Sequence, residues 1–116
     1  MYLWVIVVVV VGMVLLKIVL SHNISIQNAR KKIDEGAMLV DVRSIEEFES
    51  GHIKDACNIP HDCISDISKY VDDENKPILL YCLSGMRAAV ACSELKKNGY
   101  SDVHNVGSFA RAKKII

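Results

Sequence analysis

No charged side chain occurs between Met1 and Leu16 of this 116-residue chain. No Lys or Arg therefore precedes the apolar run that fills the stretch, and no small-residue A-x-A site follows it. Both absences speak against a cleavable secretory signal, which needs a basic start and a cleavage site. Charge of one sign is lacking too: 14 acidic and 14 basic side chains, all from Lys17 onward, give a formal net charge of +0. That balance excludes the basic or acidic field with which proteins attract nucleic acid or other polyions. The four cysteines form no C-x-x-C pair, so the usual zinc and dithiol-redox spacings are missing. Once the Val-rich start is set aside, neither an internal repeat nor a low-complexity stretch is present.

The start itself reads MYLWVIVVVVVGMVLLKIVL. At ~1.5 Å per residue this is roughly 30 Å of helix, about one bilayer core. The run is too long for a single buried strand. It predicts a transmembrane helix over residues 1–20, with Tyr2 and Trp4 as interfacial anchors and Lys17 reaching for the opposite interface. Arg30, Lys31 and Lys32 follow soon after. Under the positive-inside rule they place residues 21–116 in the cytoplasm, on a single-pass protein of the cell (inner) membrane. In that compartment Cys57, Cys63, Cys82 and Cys92 are expected to be free thiols.

From residue 21 on, helical and strand patterns alternate. Ile26, Ala29 and Ile33 recur at helical spacing before Gly36. Met38 to Val42 reads as a short buried strand. Ser44-Ile45-Glu46-Glu47 is a capping box that opens a short helix closed by Gly51. Cys57-Asn58-Ile59 is a brief strand, and Ile64, Ile67 and Val71 mark a third helical face. Ile78 to Tyr81 is the strongest strand. Ala88, Ala91, Cys92 and Leu95 line one face of the next helix, which ends at Asn98-Gly99, and Val103 to Val106 is a last strand. Strands separated by helices imply an α/β fold, a parallel sheet flanked by helices on both faces. Ligands bind such sheets beyond the carboxyl ends of the strands.

Cys82 stands at one of those ends. It closes the strand, a Leu83-Ser84-Gly85 loop follows, and Met86-Arg87 opens an Ala-rich helix. Unpaired backbone N–H groups and the helix dipole favour negative charge at that place. The thiolate is the reactive form of cysteine. Arg87, five residues on, is either a fixed cation able to hold an anionic substrate or a charged sulfur, or a structural arginine that ties the loop to a neighbouring carbonyl or carboxylate. The arrangement predicts a nucleophilic cysteine in an anion cradle.

Two blocks carry a family resemblance. Leu39-Val40-Asp41-Val42-Arg43, Glu46-Glu47-Phe48, Gly51-His52-Ile53, Ala56 and Asn58-Ile59-Pro60 form the first, and Cys82-Leu83-Ser84-Gly85-Met86-Arg87 the second. From about Ile24 to Ala112 the chain is similar to a rhodanese homology domain. The resemblance implies a rhodanese-like sheet and sulfur transfer through a Cys82 persulfide. Its implied donor is thiosulfate or a persulfide, its acceptor a thiol or cyanide, and it needs no cofactor and no metal. Leu83, Ser84, Gly85, Met86 and Arg87 would bind the substrate, Gly85 making the turn tight and Arg87 meeting the anionic end of the donor. Asp41, Arg43 and His52 would be structural neighbours of the site. The family's late Gly-Gly…Trp segment reads Gly107-Ser108-Phe109 here, so the second Gly and the Trp are absent. How the carboxyl-terminal segment docks is thereby left open.

Four residues separate Cys82 from Arg87, whereas phosphatases of the C-x5-R type have five. A shorter ring of amides suits a sulfane sulfur better than the tetrahedral oxygens of phosphate. His52, Cys57, His61 and Cys63 crowd together in sequence, but their spacing matches no common zinc pattern. His61 is either a surface loop residue or part of a pocket mouth. Cys92 belongs to the apolar face of its helix, and Cys57 or Cys63 is a conceivable resolving thiol. The functional expectation is a membrane-anchored sulfurtransferase, the membrane held through residues 1–20 and no nucleic acid involved. The alternative is a non-catalytic rhodanese-like module that recruits or regulates a membrane partner; such modules usually lose the cysteine or the loop arginine.

Overall fold

The computed structural model describes the backbone of residues 2–21 and 23–116, and the side chains of 2–16 and 23–116. Its elements run α1 (Leu3–Ser21), α2 (Ile26–Asp34), β1 (Met38–Asp41), α3 (Ile45–Glu49), β2 (Cys57–Asn58), a 3₁₀ segment (His61–Lys69), β3 (Ile78–Cys82), α4 (Met86–Lys97), β4 (Val103–Ser108) and α5 (Phe109–Ala112). The four strands form one parallel sheet in the order β2-β1-β3-β4. Parallel neighbours need crossovers, and the helices supply them while covering both faces of the sheet.

β3 is central, and its five residues are all buried. Ile78, Leu80 and Cys82 face one core, built with Ile64, Ile67 and Val71 and with Ala88, Ala91, Cys92 and Leu95 of α4. Leu79 and Tyr81 face the other, with Ala29 of α2, Ala112 of α5 and Ile115. The period-2 alternation of a strand thus sends Cys82 to the α4 face and Tyr81 to the α2/α5 face. A strand buried on both sides reads as an unbroken apolar run, which is why Ile78 to Tyr81 stood out in the sequence.

Local chemistry starts the helices where the sequence places them. The Ser25 hydroxyl accepts from the Asn28 N–H at the head of α2. The Ser44–Glu47 capping box is complete at the head of α3. Around Ile64 and Ile67 the expected helix is instead a 3₁₀ segment, broken by non-helical dihedrals at Cys63. The carboxyl-terminal segment docks without the missing Gly and Trp. Arg30 donates to the Lys114 carbonyl, Arg111 donates to the carbonyls of Ile24 and Val106, and Ile115 is buried.

The membrane expectation is corrected. Among the described residues no helix is long and apolar enough to cross a membrane. Neither the transmembrane helix over 1–20 nor the single-pass placement in the cell membrane stands. Lys17, expected to reach an interface, lies outside the described side chains.

Leu80 sits at zero exposure between β1 and β4. Leu80→Ala is expected to lower the unfolding free energy by about 2–5 kcal/mol, because β-sheet neighbours cannot collapse into the void. Denaturant unfolding with an unchanged slope checks this.

Candidate active site

The end of β3 delivers Cys82 to the base of the loop with 0% of its surface exposed. The chain then turns within three residues into α4. Gly85 is the N-cap of α4 in the left-handed region, at φ 99°. Its N–H donates to Cys82 Sγ at 2.9 Å. The following amides, Met86, Arg87 and Ala88, belong to the first turn of α4 and have no intrahelical acceptors. The thiol therefore lies at the positive end of a helix, where a developing anion is stabilised. Of the expected substrate-binding residues, Leu83, Ser84 and Met86 are exposed, Gly85 is buried and Arg87 is half-buried.

The far wall of the loop is the end of β4. Ser84 bridges Ser108, and the Phe109 N–H donates to the Leu83 carbonyl at 3.3 Å. A Cβ on Gly85 would stand 3.2 Å from Gly107 Cα. At this close approach only glycine fits both the space and the positive φ.

Arg87 engages a partner that spacing did not reveal. Its Nη1 donates to Glu47 Oε1 at 2.7 Å and its Nη2 to Glu47 Oε2 at 3.0 Å, a two-pronged, charge-assisted pair. Glu47 also accepts from the Ser44 N–H and hydroxyl, so one carboxylate both caps α3 and holds the loop arginine. The pair keeps the Arg87 guanidinium charged, and the adjoining Cys82 adds to that in lesser measure. The same pair, chiefly through the Arg87 hydrogen bonds, draws Glu47 from its ordinary 4.5 down to about 2.

Asp41 and Arg43 form a second pair at the carboxyl end of β1. Arg43 Nη2 donates to Asp41 Oδ2 at 2.7 Å and to the Gly51 carbonyl at 2.6 Å. Arg43, 4% exposed, also lies 4.4 Å above the Phe109 ring. Tyr81, raised well above the ordinary phenol range by burial, accepts from the Ile53 N–H. These groups join β1, β3 and α5 on the sheet face away from Cys82. His52 stacks on Phe48 at 3.7 Å, and its Nδ1 donates to the Phe48 carbonyl at 2.9 Å, holding the turn after α3.

His61 and Arg87 line a common cleft of about 360 Å³ with Ser44, Ile45, Pro60 and Cys63. All four cysteines are free. Burial pushes Cys92 up to about 12 and raises Cys57, while Cys63 on the surface is raised by local desolvation and then by the charges of Asp62 and Asp66. Glu47, Asn105, Gly107 and Phe109 are the site neighbours that sequence reasoning missed. Only Glu47 carried a local signal, its place in the capping box, and that signal named its first partner alone.

Because Glu47 is depressed in the folded state, the stability it contributes is present above about pH 4.5 and lost as pH falls toward about 2. Glu47→Gln is therefore expected to melt below wild type at pH 6 and to close that gap as pH approaches 2, as followed by thermal unfolding across the range.

Comparison with known proteins accords with this geometry. A model of the Rhodanese-like domain family matches residues 25–112. Over 80 residues the chain is 35% identical to thiosulfate sulfurtransferase GlpE of Pseudomonas syringae pv. syringae, covering 69% of this chain and 74% of that protein. It is 38% identical to YqhL of Bacillus subtilis, with 65% of this chain and 60% of that protein covered. For the putative sulfur carrier protein YrkF of the same organism, the identity is 36%, with 72% and 46% covered. The chain thus spans only about half to three fifths of the two Bacillus proteins. A solved structure, rhodanese with anions from E. coli, is 30% identical with a TM-score of 0.63, covering 66% of this chain and 91% of that one. The fold of human single-domain sulfurtransferase TSTD1 is matched with a TM-score of 0.68 at 23% identity, over 80% of this chain and 96% of that one. The chain belongs to the rhodanese-like domain family.

Proposed function

We propose that this chain is a sulfurtransferase that carries sulfane sulfur as a persulfide on Cys82. The observation that carries the reading is the contact of Cys82 Sγ with the Gly85 N–H at the head of α4. Cys82 is fully buried, yet its sulfur accepts from a backbone N–H where a helix begins. Relatives named thiosulfate sulfurtransferase and rhodanese support the reaction class.

The reaction is a double displacement. The Cys82 thiolate attacks the outer sulfur of thiosulfate, the S–S bond breaks, and sulfite leaves with the electron pair. Cys82 then holds the sulfur as a persulfide anion. Cyanide or a thiol attacks the outer sulfur in turn and regenerates the thiolate, so no external oxidant or reductant enters. The amides from Leu83 to Arg87 offset the charge of thiolate and persulfide as an oxyanion hole would. Gly85 brings its amide close, and Ser84 shapes the turn. Arg87, fixed by Glu47, meets the anionic end of the donor at the mouth of the cleft. Leu83 and Met86 form the exposed apolar lip over which donor and acceptor arrive. Asp41, Arg43 and His52 hold the framework and touch no substrate.

A binding module without turnover is the competing reading. Retention of both Cys82 and Arg87 counts against it. The discriminating experiment incubates the full chain with thiosulfate, measures thiocyanate formed from cyanide, and locates the added sulfur by mass spectrometry. One sulfur atom on Cys82, with turnover abolished in Cys82→Ser, is the expected result. A folded protein with neither adduct nor turnover overturns the reading. Arg87→Ala is expected to lower kcat/KM for thiosulfate by about 10- to 100-fold, since it removes a charge-assisted contact worth about 1.5–3 kcal/mol.

A further inference from the structure

Asn105 lies inside β4, 8% exposed. A buried primary amide costs free energy unless both its halves are paired. Here both point at the active-site loop and its support. Nδ2 donates to the Gly85 carbonyl at 3.0 Å, and Oδ1 accepts from the Gly107 N–H at 2.8 Å.

The strand is shaped to allow this. Along the β3/β4 ladder Leu80 faces Asn105, but Tyr81 faces Gly107, so Val106 is one residue in excess. Such a bulge re-aims the strand that carries it. Gly107 follows in the left-handed region at φ 105°, with its Cα packed against Gly85. Gly85 is thereby fixed from several directions: its N–H by Cys82 Sγ, its carbonyl by Asn105 and by the Ala89 N–H, and its Cα by Gly107. The peptide plane is rigid and trans. Holding the Gly85 carbonyl therefore sets the direction of the Met86 N–H as well, the first free amide of α4.

We propose that Asn105 is a positioning residue for sulfur transfer: it clamps the Gly85–Met86 peptide so that the loop amides converge on Cys82. The inference rests on the sulfurtransferase reading above and adds a residue outside the loop to its machinery. Asn105 touches neither thiol nor substrate and acts through Gly85. No other side chain of this size pairs a donor with an acceptor at that separation: a leucine fills the space but leaves the Gly107 N–H without its acceptor and the Gly85 carbonyl held by Ala89 alone, and an aspartate puts an oxygen against the Gly85 carbonyl.

The test uses the full chain with Asn105→Ala and Asn105→Asp. Both are expected to lower kcat for thiosulfate:cyanide transfer by about 10- to 100-fold while KM changes less than about twofold, because a misplaced donor weakens the transition state more than ground-state binding. In wild type, the Gly85 amide resonance moves when Cys82 takes up sulfur. In the variants it starts displaced and responds less. Asn105→Asp, nearly isosteric and still able to accept from the Gly107 N–H, decides the matter if Asn105→Ala does not fold. Wild-type kcat in a folded variant, or a loss of activity that only tracks the unfolded fraction while Gly85 responds normally, overturns the clamp. A wild-type protein that takes up no sulfur overturns the sulfurtransferase reading instead. The clamp is then judged from the Gly85 resonance before and after alkylation of Cys82 with iodoacetamide: an undisplaced resonance in both variants refutes it, and a displaced one supports it.

Discussion

The hydrogen bond from the Gly85 N–H to Cys82 Sγ is the contact on which the rest of the structure depends. At zero exposure Cys82 Sγ is cut off from water, and the Gly85 N–H takes the place of a hydrogen-bonding water. That replacement dictates the rest. The strand must end at the cysteine, the turn must take three residues, and the helix must begin at once so that its free amides face the sulfur. Such a turn needs a left-handed residue at the N-cap, hence Gly85, and a partner strand that leaves room for it, hence Gly107. The bulge at Val106 and the side chain of Asn105 follow from the same requirement. Each feature makes sense only in view of the next.

Charge around the site is organised in closed pairs. Asp41 neutralises Arg43, and Glu47 neutralises Arg87. The two pairs differ in burial and so in consequence. Asp41–Arg43 is almost fully enclosed, and removing either partner strands a buried charge, which is strongly destabilising. Glu47–Arg87 is about one-third exposed on both sides, so its Coulomb energy is screened and its main effect is orientation. An arginine held on one edge by a carboxylate keeps its remaining N–H donors pointed elsewhere. The fold uses one ion pair to lock strands together and the other to aim a cation.

The sheet was legible because each strand carried its own signal: an unbroken apolar run for the buried β3, a capping box before α3, and Gly36 and Gly99 after α2 and α4. Cys82 and Arg87 were legible because their chemistry is local to one turn. Glu47, Asn105 and Phe109 were not, because each meets its partner across a long sequence separation and only the folded register joins them. The apolar start misled for a different reason. Hydropathy alone matched it to a bilayer, whereas no described helix is long and apolar enough to span one. The 3₁₀ segment shows the same limit in miniature: Ile64, Ile67 and Val71 have helical spacing, but the dihedrals at Cys63 are non-helical and break the element.

Four cysteines share a small fold, and their surroundings assign them different parts. Cys92 faces the same core as Cys82, yet it sits inside a helix whose amides are already paired. Burial there outweighs the nearby Lys96 charge and pushes the thiol up to about 12, where it packs as a small apolar group. Cys57 is held up by the same cause to a lesser extent. Cys63 is exposed, yet local desolvation and then the carboxylates of Asp62 and Asp66 raise it, so access alone does not make it a nucleophile. What separates Cys82 from the other three is neither burial nor exposure. It is the single cysteine of the chain that stands where a strand ends and a helix begins, and that junction supplies the unpaired amides a sulfur anion needs.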